Sequence, residues 1–233
     1  GGFSQVYEAS DAGLDDAPVA VKIWSQKASE AEWVRNQFTH EAAALQLVDH
    51  PGVVRLLDSG VLVSGEPFLV MTLLDGAPLR AVISSTETWP APGAAAILER
   101  LGETVHAIHA AGVIHRDVKP ENILIQQGNR PVLVDFGSSG ILGQSEQAAV
   151  TRHLAGSIDY LAPERLTGHY STAADIFSLG AIAFELLAGK KLSESKVSMH
   201  GADLAGELMA RLPGQIESEV GLLLAEALDV APE

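Results

Sequence analysis

Apolar and polar residues alternate from Val19 to Ile23, which predicts a strand carrying Lys22 in its middle. The period then lengthens. From Glu30 to Val48, the apolar residues Val34, Phe38, Leu45 and Val48 recur every three or four positions and mark a helix with one buried face. Glu41 falls three residues after Phe38 and four before Leu45, so it points into that face. A carboxylate placed there is costly to ionise without a cation beside it, and Lys22 is the natural partner. His50-Pro51-Gly52 ends the helix, because proline cannot continue it. Val53 to Leu57, Val61 to Val63 and Phe68 to Met71 read as three further strands, and Asp75-Gly76-Ala77-Pro78 reads as a break. Pro90, Pro92 and Gly93 precede a helix with Leu98, Leu101, Val105 and Ile108 on one face, capped by Gly112. Two short Val- and Ile-rich strands follow, at Ile123 to Ile125 and Val132 to Val134. Asp175 to Ala188 predicts a helix that is apolar all round and therefore buried, with Asp175 at its start and Gly189 just past its end. Residues 190 to 216 predict only short helices, and Leu222 to Leu228 a last amphipathic one.

Composition narrows the class. The 233 residues suffice for one sizeable core or two small lobes, and 47% hydrophobic with 19% charged residues describes a globular chain. With no cysteine there is no disulfide and no thiolate zinc site, which fits a reducing, cytoplasmic setting. The apolar run Ile176 to Phe184 is far short of the roughly 20 residues that span a bilayer, so no membrane contact is expected from this segment. A net charge of −15 argues against nucleic acid as a bulk ligand; it fits solubility or attraction of basic substrates. His106 and His109 lie three apart on a predicted helix, but no third ligand is nearby, and packing or surface roles suit them better than metal binding.

The chemistry concentrates between His115 and Gly137. His115-Arg116-Asp117-Val118-Lys119-Pro120-Glu121-Asn122 and Val134-Asp135-Phe136-Gly137 are loops beside the two short strands. Asp117, Asn122 and Asp135 supply hard oxygen ligands and a base, which suits Mg²⁺ and phosphate. These loops resemble the catalytic and metal-binding loops of the eukaryotic-type (Hanks-type) protein kinases, in the style of the bacterial serine/threonine enzymes. The resemblance covers the whole chain. It implies an α+β, two-lobed fold, with a small antiparallel β lobe carrying one helix (residues 1 to 74) and a larger, mainly α-helical lobe (75 to 233). ATP and Mg²⁺, with Mn²⁺ as a substitute, would lie between them.

The resemblance also implies roles, position by position. Asp117 would be the catalytic base, Lys119 would neutralise the γ-phosphate, and Asn122 and Asp135 would hold the metal. Lys22 would pair with Glu41 and hold the α- and β-phosphates. Gly1 and Gly2 resemble the tail of the phosphate-covering loop, with Ser4 in place of its last glycine. Val6, Ala20, Met71 and Leu124 would line the adenine pocket, and Thr72 to Leu74 would form the connector at its edge. His115 and Phe136 would pack with Leu45 and Leu56.

Residues 138 to 161 form a long loop of weak periodicity that closes in Gly156-Ser157-Ile158-Asp159-Tyr160-Leu161-Ala162-Pro163-Glu164, similar to the family's activation segment. Thr151 is a candidate phosphorylation site, Arg116 its candidate phosphate partner, and Ser157 a structural hydroxyl near Asp117. Lys119, two residues after Asp117, implies serine/threonine specificity. Protein substrates bearing Ser or Thr are the expected partners, with self-association for autophosphorylation as a further one. An inactive scaffold is the first rival reading. A small-molecule hydroxyl kinase of related fold is the second, although it would lack the Ala-Pro-Glu segment. The chain is expected to be an excerpt of a longer catalytic domain.

Overall fold

A computed structural model describes residues 4–14, 16–25, 31–85, 89–142, 158–195, 207, 210 and 218–228. The first half is a four-stranded antiparallel sheet: β1 (Ser4–Asp11), β2 (Ala17–Trp24), β3 (Leu56–Val61) and β4 (Pro67–Thr72), in the order β1-β2-β4-β3. Register places Val6 opposite Lys22 and Lys22 opposite Leu69, and Ala20 opposite Met71, so these side chains share one face. The helix α1 (Ala31–Leu47) packs on the sheet, with Phe38 edge-on to Trp24 at 5.8 Å. Val34, Leu45 and Val48 are buried as the periodicity predicts.

Three strands were expected between Val53 and Met71, but a single hairpin forms. Gly65 turns the chain at φ +97°, with the Leu62 and Gly65 N–H groups bonded to the Glu66 and Leu62 carbonyls, so Leu62 and Val63 are consumed by the turn. Val53 and Val54 instead reach the second half of the chain, bridging in parallel to Leu133.

The second half is mostly helical. A short β5 (Ala77–Pro78) leads into α2 (Leu79–Ser84), followed by α3 (Ala91–Ala110), β6 (Val113–Ile114), β7 (Ile123–Gln126), β8 (Arg130–Leu133), β9 (Gly140–Ile141), α4 (Thr172–Ala188) and α5 (Ser218–Leu228). Strands β5, β7 and β8 form one small antiparallel sheet, and β6 pairs with β9. Ile97, Leu101, Val105 and Ile108 of α3 pack with Ile182, Phe184 and Leu186 of α4 in the core. Each such side chain contributes roughly 1.5–3 kcal/mol by leaving water. An added Cβ at Gly180 would stand 3.0 Å from Leu228, which is how closely α5 lies on α4.

Two helix starts differ from expectation. Pro92 and Gly93 lie inside the first turn of α3, where the missing proline N–H leaves no intrahelical bond unmade. α4 begins at Thr172, three residues before Asp175, and Ile176 is 41% exposed, so one stripe of this helix meets solvent. Gly189 ends it in the left-handed conformation at φ +70°, as its position predicts. No helix among the described residues is long and apolar enough to cross a membrane. The architecture is α+β and two-lobed.

Candidate active site

Three ionisable groups from three elements meet where the sheet faces the second half of the chain. Lys22 Nζ on β2 donates to both oxygens of Glu41 on α1, at 2.7 and 2.8 Å, and to Asp135 Oδ1 at 2.9 Å. Lys22 and Glu41 are buried, while Asp135 is partly open. Burial pushes the Glu41 carboxyl up from 4.5 to about 7, against the pull of Lys22. Burial acts oppositely on Lys22, yet Glu41 and Asp135 together hold its ammonium above the ordinary lysine value. Asp135 is lowered to about 2; Lys22 and the Gly137 N–H outweigh the cost of burying it. Gly137 also keeps this spot open, since a Cβ there would stand in tight contact, 3.2 Å from both Asp135 Oδ1 and Glu41 Oε2.

A second constellation forms on the loop between β6 and β7. Asp117 Oδ2 accepts from Lys119 Nζ at 2.6 Å and from Asn122 Nδ2 at 2.9 Å; the same Nδ2 also bonds the Asp117 carbonyl. Asn122 thus commits its amide nitrogen inward and leaves its carbonyl oxygen as a hard donor. A carboxylate ionised far below neutrality and an amide oxygen are a donor set that fits Mg²⁺. The described residues hold no group of three or more His, Asp or Glu placed for one metal ion.

The loop is strained and anchored. Arg116 takes φ +69°, unusual for a residue with a side chain. Asp175 holds it there: its two carboxylate oxygens accept from the His115 and Arg116 N–H groups at 2.9 and 2.8 Å, and His109 Nε2 lies 2.9 Å away. The sequence reading placed Asp175 at a helix start and His109 on a packing face. The structure keeps Asp175 in the first turn of α4 and makes it a buried anchor for the loop. His115 is fully buried, edge-on to Phe136 at 4.7 Å, and its Nδ1 accepts from the Asp117 N–H at 3.3 Å. Burial lowers its pKa below the usual histidine range, so it is a neutral packing group. Leu45 is buried in the same core and Leu56 packs against it.

Other expected positions are placed as follows. Ala20 and Met71 lie opposite each other on the face that carries Lys22, and Val6 stands 61% exposed at its rim. Thr72 bonds back to the Arg55 carbonyl, Leu74 packs on the core, and Leu124 is paired with Pro78 and Val132. Gly1, Gly2, Thr151 and Ser157 lie outside the described residues.

Sequence reasoning missed a network beside the loop. Arg80, at the start of α2, bonds Glu121 Oε1 and Glu185 Oε1, each at 2.8 Å, and touches the Tyr160 hydroxyl, which itself donates to Glu185. It ties the catalytic-type loop, the Ala-Pro-Glu segment and α4 together. No local pattern announces it, because its members lie up to 105 positions apart.

Comparison with known proteins bears on this geometry. The family model described as "Protein kinase domain" matches residues 1–233. The "Serine/threonine-protein kinase PknA" of Mycobacterium tuberculosis is 38% identical over 199 residues, covering 82% of this chain and 45% of that protein. The "Serine/threonine-protein kinase PknE" of the same organism is 35% identical over 190 residues, covering 81% of this chain and 33% of that protein. The chain therefore spans less than half the length of these relatives.

Proposed function

The chain belongs to the protein kinase domain family, and on that premise we propose that it transfers the γ-phosphoryl group of ATP to Ser and Thr hydroxyls of protein substrates. The observation that carries this reading is the convergence of Lys22, Glu41 and Asp135 at 2.7–2.9 Å beside a loop that presents Asp117. Phosphoryl transfer needs positioned groups and charge neutralisation more than covalent chemistry.

Lys22, oriented by Glu41, holds the α- and β-phosphates. Asp135 and Asn122 would hold Mg²⁺, or Mn²⁺ in its place, which when bound would supply charge neutralisation of the phosphates. Asp117 orients the acceptor hydroxyl and takes its proton, and Lys119, now paired with Asp117, neutralises the transferring group. Val6, Ala20, Met71, Leu124 and the connector Thr72 to Leu74 form the adenine pocket, covered by the Gly1-Gly2 loop. The lobes divide between residues 74 and 75. Names of relatives that specify serine and threonine, together with Lys119, favour Ser/Thr as acceptors. Phosphorylation of Thr151 raises activity through Arg116, and self-association serves that step. The domain works in the cytoplasm.

The test is phosphorylation of a lysate by the intact protein, with and without the Asp117→Ala change, read by mass spectrometry. Phosphate appearing on Ser and Thr of proteins only with the unchanged enzyme supports the proposal. Phosphate found on small hydroxyl metabolites alone contradicts it.

A further inference from the structure

Trp24 is buried beside Lys22, whose Nζ lies 5.1 Å from the centre of the indole ring. The two residues alternate along β2 and therefore point to the same face of the sheet. The opposing helix repeats the pairing. Phe38 and Glu41 share one side of α1, and they meet Trp24 and Lys22 respectively. Phe38 stands edge-on to the indole at 5.8 Å, and Glu41 accepts from the ammonium at 2.7 Å. Helix α1 is thus joined to β2 by two adjacent rungs, one ionic and one aromatic.

An ammonium has three N–H donors, and here carboxylate oxygens take all three: two of Glu41 and one of Asp135. None is left for a further acceptor. The aromatic ring asks for none, and the negative charge of its face attracts the cation. A carboxylate in the same place would neutralise the ammonium and compete with phosphate for it. An aliphatic side chain would exclude water but attract nothing. The ring holds the cation and leaves its charge available to an anion. Such attraction is strongest away from water, and both residues are buried.

On the reading that Lys22 binds the α- and β-phosphates, we propose that Trp24 is a positioning residue for them. Its ring holds the Lys22 ammonium in place, and Phe38 ties that ring to the seating of α1. Phosphate oxygens then replace Asp135 as partners of the ammonium, while the Glu41 and Trp24 contacts persist. The ring acts alike on the bound nucleotide and on the transition state, so it raises affinity for phosphate-bearing nucleotides and leaves kcat alone.

Calorimetric titration of the intact protein with ADP in the presence of Mg²⁺, and separately with adenosine, tests it. Adenosine fills the base and sugar positions but offers Lys22 no phosphate, so it reports the integrity of the cleft. Trp24→Leu keeps an apolar side chain without a ring face. It should weaken ADP binding about three- to tenfold and leave adenosine binding unchanged. KM for ATP should rise in step, with kcat nearly unchanged. Trp24→Phe restores a ring and should recover most of the loss. A tryptophan fluorinated on its benzo ring, placed at position 24, keeps the shape while draining negative charge from the face. It decides the matter if the Leu variant does not fold: ADP affinity should fall as fluorines are added, again with adenosine unchanged. The inference is overturned if the folded variants bind ADP as the unchanged protein does, or if ADP and adenosine weaken together. The unchanged protein still binds ADP in both cases, so the phosphotransfer reading stands. Unchanged protein with no preference for ADP over adenosine contradicts the assignment of Lys22 to phosphate, and the inference with it.

Discussion

Replacing Glu41 by Gln removes one charge from the Lys22–Glu41–Asp135 cluster without changing its shape. Two magnitudes oppose each other. Taking one partner from a buried ion pair costs about 3–5 kcal/mol, chiefly through the charge left behind. Lys22, however, keeps Asp135 at 2.9 Å, so its charge is not abandoned. In the other direction, the rise of Glu41 from 4.5 to about 7 means that its ionised form is held in the fold at a cost of about 3 kcal/mol above neutral pH, which Gln does not bear. The expected net change is within about 2 kcal/mol at pH 8, or at most roughly 8 °C in Tm for a domain of this size. The sign with pH follows from linkage. A carboxyl raised in the fold gives stability that is fully present below its unfolded pKa near 4.5 and lost as pH rises through about 7. Relative to Glu41→Gln, the unchanged protein should gain stability as pH falls from 8 to 5. The metal requirement for activity should respond as well. With Glu41 neutral, Asp135 becomes the remaining carboxylate partner of Lys22, so the ammonium competes with the metal. The Mg²⁺ concentration for half-maximal turnover should rise about tenfold, the equivalent of about 1.4 kcal/mol. Thermal denaturation across pH and a Mg²⁺ titration of ATP turnover check both halves. A loss above about 5 kcal/mol, or an unchanged Mg²⁺ requirement, would refute the reasoning.

Asp175→Ala removes the acceptor for two backbone N–H groups and the neighbour of His109, and should cost about 3 kcal/mol or more, with the strained Arg116 backbone relaxing; urea unfolding and amide exchange at residues 115–117 measure it. Gly140→Ala drives a methyl into Arg116 and should lower activity by moving that side chain; full activity in this variant would show that Arg116 does not need its place. Arg80→Met cuts the link from α2 to Glu121 and Glu185 and leaves Glu185 buried, so a loss of about 2–4 kcal/mol in stability is expected, read by denaturant titration.

How much of this was legible in the sequence depends on the range of the interactions. Periodicity placed α1, and Glu41 on its buried face predicted its pairing with Lys22, because a charged residue in an apolar stripe demands a cation. It failed for Val61 to Val63, where Gly65 turns the chain and overrides a short apolar run. It placed Asp175 at the start of its helix, where the residue lies in the first turn, but named no partner for it, because the loop it binds is 59 residues away. The Arg80 network is assembled by tertiary packing alone, and single charges in mixed segments reveal nothing of their partners.

The most direct test of the account is a pair of variants assayed side by side for γ-phosphoryl transfer to protein and for nucleotide binding. Asp117→Ala removes the group assigned to the acceptor hydroxyl, and Asp135→Ala removes a metal ligand. Both should lower the rate by about 10² to 10⁴ or more. Mg²⁺-dependent ATP binding should survive in the first and weaken in the second. Asp117→Ala protein that remains folded and phosphorylates Ser or Thr at the unchanged rate would contradict the account.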